Sequence, residues 1–478
     1  MAIALHTLSN NDLPLHIATG DYVLAHGIPT TDPFSFTAGG RPWVPHEWLA
    51  GVLFALARQL AGDQGLVWLN VLLAGVLAAL VAGVGRELKA SVTSLCLWGL
   101  PVWVMVGQRL ILRPHMFQLC LAAALWWLIL RARTHRHWLW GLPAAMALWV
   151  NVHGSFVLGY GICLLGLFAH WRAGVTPRSQ LKICFGLTTL ALCAQFHVWR
   201  QPDIWAGFRD ALFLVTDPVF MAEIQEWQPP FTSTAFQRSY AFWISLPFLG
   251  IAAYSVVRPG RPVPLSYRLY TLGCFLLYFR HQRFIALAAL ATLPLLPDLL
   301  HGITTRTARR LALALALACA SATLYVTLGF PVYIDQKLRR PGLSWDGDKF
   351  PIYELEALRK DSKRGAAVFC EYDYGGIVIW FGFRPTMDSR NSVYGAEQYV
   401  LHQQALAVDS VPDSETGGAA SRARAYREEL LEQVDAVLIR GAIVEPLRTG
   451  LQRRLQGDPK WRLHTFSTAG HYLYVRVD

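Results

Sequence analysis

Residues 67–84 read V-W-L-N-V-L-L-A-G-V-L-A-A-L-V-A-G-V, eighteen residues without a charge. As a helix this run extends about 27 Å, close to the roughly 30 Å of hydrocarbon in a bilayer. Similar runs follow it, and ten membrane-spanning helices are expected near 65–84, 91–107, 115–130, 137–152, 155–171, 181–197, 239–257, 267–279, 284–299 and 310–330. Upstream, W-L-A-G-V-L-F-A-L-A-R-Q-L-A (48–61) has a helical pattern, but Arg58 and its short length point to a helix lying in the interface. Beyond Pro331 the hydropathy falls. The expected organisation is therefore an outer loop with an interfacial helix (1–64), a transmembrane helical domain (65–330) and a soluble α/β domain (331–478).

Composition agrees. The chain has 54% hydrophobic and only 16% charged residues in 478, against about 25% charged in soluble domains. Its net charge of +11 does not point to nucleic acid, because no zinc-finger, helix-turn-helix or RNA-binding signature accompanies it. The basic residues sit instead in short loops. Five alternate loops hold fourteen of them, among them Arg86, Arg131, Arg172, Arg258 and Arg306, and the four intervening loops hold seven. The richer set is expected in the cytoplasm, which places the first loop, the 198–238 loop and the C-terminal domain outside, in a multi-pass inner-membrane protein.

Met1–Leu8 is too short and too weakly apolar for a signal peptide or a span, so insertion is expected to begin with a later helix, or the natural start to lie upstream. Seven of the eight cysteines lie in apolar segments and Cys370 stands alone in the polar part, so neither a disulfide nor a cysteine metal site is expected. In the soluble part, Ala366–Cys370, Ile377–Phe381, Ala436–Ile439 and His471–Val477 read as strands, and Ile352–Lys360 and Ala419–Gln433 as helices. Val411–Ala420 reads as a mobile loop.

The polar residues gather on the outer side. Loop 9–47 carries Asp12, His16, Asp21, His26, Asp32, His46 and Glu47. Carboxylates and imidazoles in one stretch suit proton abstraction or a divalent metal, whereas Asp12 and Asp32, each just before Leu-Pro or Pro, equally suit turn capping. Q-R-L-I-L-R-P-H brings Arg109, Arg113 and His115 to a span end, and N-V-H-G brings Asn151 and His153. R-H-Q-R adds Arg280 and Arg283, and A-E-I-Q-E-W-Q-P-P adds Glu223, Glu226 and Trp227. Ionisable groups at span ends are costly unless paired or facing a wet cavity, so they mark function. Guanidinium groups grip phosphate, although snorkelling to lipid headgroups is the plainer role. Glu371, Asp373, Asp388 and Arg390, beside Gly375-Gly376, offer polar groups for an acceptor or sugar site, but turn-forming and surface ion-pair roles are the expected ones.

These motifs resemble the GT-C superfamily of polytopic glycosyltransferases, in particular its bacterial multi-span members. The resemblance rests on H-I-A-T-G (16–20), G-I-P-T-T-D-P-F-S-F-T (27–37), P-W-V-P-H-E-W-L (42–49), R-x-x-x-R-P-H (109–115), W-V-N-V-H-G (149–154), E-W-Q-P-P (226–230) and R-H-Q-R-F (280–284). In the soluble part it rests on E-Y-D-Y-G-G-I-V-I-W (371–380) and M-D-S-R (387–390). It implies a polyprenyl-phosphate-linked sugar as donor and an aspartate in the first outer loop as catalytic base, with inversion. Asp12 matches that base by position and Asp32 is the second candidate. Arg109, Arg113 and Arg283 would receive the lipid phosphate, and His46 and Glu47 would orient the sugar or hold a metal. His16, His115, Asn151, His153, Glu226 and Arg280 complete the expected substrate-binding set. The chain departs from its relatives in carrying Leu13-Pro14-Leu15 where they have an aromatic pair, and in having only eleven residues ahead of Asp12.

Two other readings fit parts of the sequence. A non-catalytic member of the same fold would bind a lipid-linked glycan or scaffold an envelope assembly complex. A transporter would favour inverted repeats and midplane charges, whereas here the ionisable residues cluster at span ends.

Overall fold

The computed structural model describes residues 4–477, except single positions and stretches within 206–215, 258–262, 301–331, 362–364, 409–416 and 443–448. The chain is mostly helical and ends in a sheet domain. It forms two compact units. The first comprises Met1–Leu8, Ala57–Phe196 and Pro218–Ser344; the second comprises Ser9–Leu56, His197–Asp217 and Trp345–Asp478. This partition groups most of the first loop with the sheet domain.

In the first unit the apolar runs fold as helices: α2 (Trp48–Glu87, whose first turns belong to the second unit), α3 (Val92–Gly107), α4 (His115–Arg131), α5 (Gly141–Val152), α6 (Phe156–Ala173) and α7 (Arg178–Ala191). After these come α8 (Tyr240–Val257), α9 (Leu265–Arg280) and α10 (Ile285–Thr292). Among the described residues, Trp48–Glu87 and Phe156–Ala173 are long and apolar enough to cross a membrane. His115–Arg131, Tyr240–Tyr254 and Gln282–Leu296 are shorter apolar helical segments. Most of the expected span 310–330 lies outside the described residues. Helix α2 breaks at Ala61 and Gly62, where Gly62 has φ of +61°, so the expected interfacial segment and the first span are two helices joined by a glycine hinge.

Close helix packing comes from small residues. A Cβ on Gly166 would stand 2.4 Å from Cδ1 of Ile129, and one on Gly159 would stand 2.6 Å from the Trp149 ring. Helix α6 therefore lies tightly against α4 and α5. The polar His170 in α6 is accommodated by Thr176 Oγ1 and Ile129 O, both at 2.9 Å.

In the second unit, loop 9–47 is not a loop throughout: Leu13–His26 forms helix α1. The polar residues that suggest a loop alternate with Leu13, Leu15 and Ile17, which are buried, and Pro14 sits in the first turn, where its missing N–H costs nothing. The sheet runs β2 (Arg384–Pro385), β1 (Ala367–Cys370), β3 (Ala436–Arg440), β5 (His471–Arg476), β4 (Trp461–Phe466). β1 pairs in parallel with β2 and β3, and β5 pairs antiparallel with β3 and β4. Phe369, Val437, Ile439, Leu451, Leu455 and Trp461 form its core.

The expected helices appear as α11 (Ile352–Asp361) and as the helix Gly417–Gln433; most of the expected mobile loop 411–420 lies outside the described residues. The expected strand Ile377–Phe381 is instead helix α12 (Gly375–Trp380). Ile377, Val378 and Ile379 are all buried, and a short run buried on every side carries no periodicity that separates strand from helix. Helix α13 (Asn391–Ala407) follows it.

Candidate functional site

In the second unit, α1 carries Asp12 at its N-cap and His16 one turn later, so both lie on one helix face. Glycines set where this face goes. A Cβ on Gly20 would stand 2.1 Å from the Gly51 carbonyl oxygen, and one on Gly51 would stand 2.6 Å from that of His16. The α1 backbone therefore touches the start of α2, which brings Glu47 Oε2 within 3.5 Å of His16 Nε2. At the other side, a Cβ on Gly376 would stand 3.0 Å from the Asn11 carbonyl oxygen, so this glycine lets α12 seat against the start of α1, while one on Gly375 would meet the Met387 carbonyl oxygen. Tyr372, just before α12, donates to Asn391 Oδ1 at 2.9 Å. Burial pushes its phenol well up, and the Asp12 charge pushes it further. Asp12, His16, Glu47 and Tyr372 thus share one end of α1.

Asp32 is placed differently. Its carboxylate is buried and accepts the amides of Phe34 at 2.8 Å and Ser35 at 3.3 Å, and the Ser35 hydroxyl. Arg390 donates to it through Nη1 at 2.5 Å, and to Asp388 through Nε at 2.8 Å and Nη2 at 2.6 Å. The same guanidinium lies 4.7 Å from the Trp43 ring centroid and 5.3 Å from that of Phe34. Burial works against the Asp388 charge, yet Arg390 and the Tyr394 hydroxyl hold it below the usual carboxylate range. Asp388 and Arg390, read from the sequence as surface residues, are a buried ion pair that ties the first loop to the sheet.

In the first unit, three loops meet around Glu226. The 109–114 stretch before α4 supplies Arg109, whose Nη1 lies 2.6 Å from Glu226 Oε2, and Arg113, whose Nη1 lies 3.3 Å from the same oxygen. The turn after α9 supplies Arg283, with Nη1 3.6 Å from Oε1 and its guanidinium 4.2 Å from the Trp227 ring centroid. Burial raises the Glu226 carboxyl, but Arg113, Arg109 and Arg283 outweigh it and hold the group well below the usual range. Among these four groups, one negative charge faces three positive ones, an arrangement suited to a further anion.

Backbone contacts fix the loops. His115 Nε2 donates to the Arg109 carbonyl at 2.7 Å, and Gln282 N donates to the Gln228 carbonyl at 3.0 Å. His281 Nδ1 meets the Trp227 carbonyl at 2.7 Å; burial lowers this imidazole, and Arg280 and Arg283 lower it further. Leu110 O accepts from Asn70 Nδ2 at 3.2 Å and His6 Nε2 at 3.1 Å. Asn70 and His6 were not singled out in the sequence, because a lone polar residue in an apolar run signals only that it has a partner.

Of the expected binding residues, the first unit therefore brings together Arg109, Arg113, His115, Glu226 and Arg283. Arg280 is exposed and turns toward the Met221 sulfur at 3.8 Å. Asn151 bonds the carbonyls of Ala147 and Ala194 and the amide of Phe196, and His153 caps Ser155, so both pin the α5–α6 and α7 ends. His46 is half-buried beside Glu47. Among the described residues no three His, Cys, Asp or Glu side chains gather as a metal set.

No family model and no curated protein matches the chain. Solved structures do. The oligosaccharyltransferase of Archaeoglobus fulgidus, tethered to an acceptor peptide with an NVT sequon, matches with a TM-score of 0.50 at 14% identity over 91% of this chain. The arabinofuranosyltransferase AftD from Mycobacteria matches with a TM-score of 0.55 at 13% identity over 99%. The chain has the GT-C fold. It spans 65% of the first of these GT-C proteins and 40% of the second.

Proposed function

We propose that the chain is a GT-C glycosyltransferase that moves a sugar from a polyprenyl-phosphate-linked donor to an acceptor at the outer face of the inner membrane. The guanidinium groups of Arg109, Arg113 and Arg283 around one carboxylate carry this reading. The donor's single phosphate becomes a dianion when the sugar leaves, and fixed cations stabilise charge as it develops. Asp12 takes the proton from the acceptor hydroxyl, whose oxygen attacks the anomeric carbon while the bond to the lipid phosphate breaks, inverting that carbon. The hydrogen bonds and ion pair that already saturate Asp32 favour Asp12 over it. His16, His46 and Glu47 orient the sugar; His16 and Glu47 would supply two ligands if a divalent ion takes part. Ten spans, with the sheet domain outside, fit the distribution of basic loops.

The test is transfer of labelled sugar from a panel of polyprenyl-phosphate donors in membranes holding the wild type or the Arg109→Gln/Arg113→Gln double variant. Wild-type transfer reduced at least about 100-fold in the double variant is expected, since each charge-assisted bond contributes about 1.5–3 kcal/mol. Transfer that survives the double change rejects the phosphate role.

A further inference from the structure

The connections α4–α5 and α6–α7 lie at the same end of their helices and are fastened to each other. His170 in α6 bonds the Ile129 carbonyl near the end of α4 through Nε2, and the Thr176 hydroxyl in the next loop through Nδ1. Gln180, in the first turn of α7, donates from Nε2 to the Arg136 carbonyl at 3.0 Å, and the Cys184 thiol one turn later meets the Leu139 carbonyl at 3.3 Å. The joined connections and the turns beside them present Arg133, Arg136, Arg172, Arg178 and Lys182, all exposed. Between Glu87 and Asp203 the sequence holds no Asp or Glu, and Glu87 itself is taken by Arg131 at 3.0 Å. Among the described residues no carboxylate pairs with any of the five cations.

Basic loops orient many membrane proteins without binding any particular molecule, but these two are pinned into one surface and lack any internal counter-charge. Arg178 opens α7, whose first turn has no acidic residue, an end of the helix where a cation is unfavourable until an anion offsets it. Exposed Trp140 and Trp171 stand beside the cations at the helix ends. Tryptophan at such positions belongs to the headgroup layer of a bilayer, so the charge faces lipid and not a partner in the cytosol. We infer that this surface binds the headgroup of an anionic phospholipid, with the phosphodiester held by guanidinium groups of the two connections. Guanidinium is suited to this because its fork of N–H donors matches two phosphate oxygens. The length of α4 separates this surface from Arg113, so it is distinct from the arginines around Glu226.

The experiment uses the full chain in nanodiscs of equal phosphatidylglycerol and phosphatidylcholine, released into a native mass spectrometer that counts the lipids still bound. Nanodiscs offer both faces alike, so the outcome does not depend on the orientation of the chain. Wild type should retain phosphatidylglycerol over phosphatidylcholine at least about tenfold, since each cation near an anionic surface contributes about fivefold. The Arg133→Gln/Arg136→Gln/Arg178→Gln variant should lower that ratio at least about fivefold. Lys360→Gln/Lys460→Gln/Arg462→Gln, which removes the same charge from exposed positions in the sheet domain, should keep the wild-type ratio. Glycerol phosphate at millimolar concentration should also leave it unchanged; collapse of the ratio would assign the surface to a soluble phosphate ester and overturn the lipid assignment. A wild type that retains both lipids equally overturns it even if the first variant fails to fold, and binding of labelled polyglutamate by that wild type would give the surface to an acidic protein. A ratio unchanged in the first variant, or lowered equally in the second, overturns it as well.

Discussion

Arg390 is held between the Asp32 and Asp388 carboxylates, with side-chain exposure of 5% against 0% for each partner. Truncating it leaves two buried carboxylates without their cation, a change that costs about 3–5 kcal/mol. Arg390→Ala should therefore lower the unfolding midpoint of the purified chain sharply, whereas Arg422→Ala, at an ion pair 70% and 84% exposed, should leave it almost unmoved. The pH dependence has a defined sign. Asp388 sits below its usual value in the folded chain, so its contribution is fully present above the unfolded value near pH ~4 and is lost as pH falls through the folded one. The stability gap between wild type and Asp388→Asn, measured by chemical unfolding, should hold from pH 8 to 5 and shrink below about pH 4.

At the scale of elements, the 109–114 stretch is the piece on which the anion site depends. Asn70 reaches it from inside α2 and bonds the carbonyls of Ala4 and Leu110. Asn70→Ala should cost about 1–3 kcal/mol and weaken polyprenyl-phosphate binding more than overall stability, because it loosens the backbone that carries Arg109. At the start of α1, Gly376→Ala would push a methyl group to 3.0 Å from the Asn11 carbonyl oxygen and 3.2 Å from the Leu15 Cβ. A loss of about 1–3 kcal/mol is expected from this overpacking, read as a lower unfolding midpoint.

Much of this was legible in the sequence and some was not, for identifiable reasons. The apolar runs gave most helix positions because eighteen uncharged residues leave few alternatives. Arg109, Arg113 and Glu226 stood out as charges at span ends. Helix α1 was hidden by its Asp, His and Gly residues, whose role is to face a site and let backbones touch. Helix α12 was hidden by burial on every side. The Asp32–Arg390 pair joins residues 358 positions apart in sequence, and no local pattern announces such a contact.

For the whole molecule, a GT-C fold and alternating basic loops predict the sheet domain outside and the 131–136 loop inside. A single cysteine at the exposed Lys460 should react with a membrane-impermeant maleimide in intact cells. One at the exposed Arg133 should react only after permeabilisation. Reaction at Arg133 in intact cells would invert the orientation. The central claim, transfer from a lipid-phosphate donor with Asp12 as base, is tested most directly by labelled-sugar transfer in membranes holding wild type, Asp12→Asn or Asp32→Asn at matched protein levels. The account predicts transfer by wild type, transfer reduced at least about 100-fold by Asp12→Asn, the lower end of general-base contributions, and measurable transfer wherever Asp32→Asn still folds. Full transfer by Asp12→Asn would contradict it.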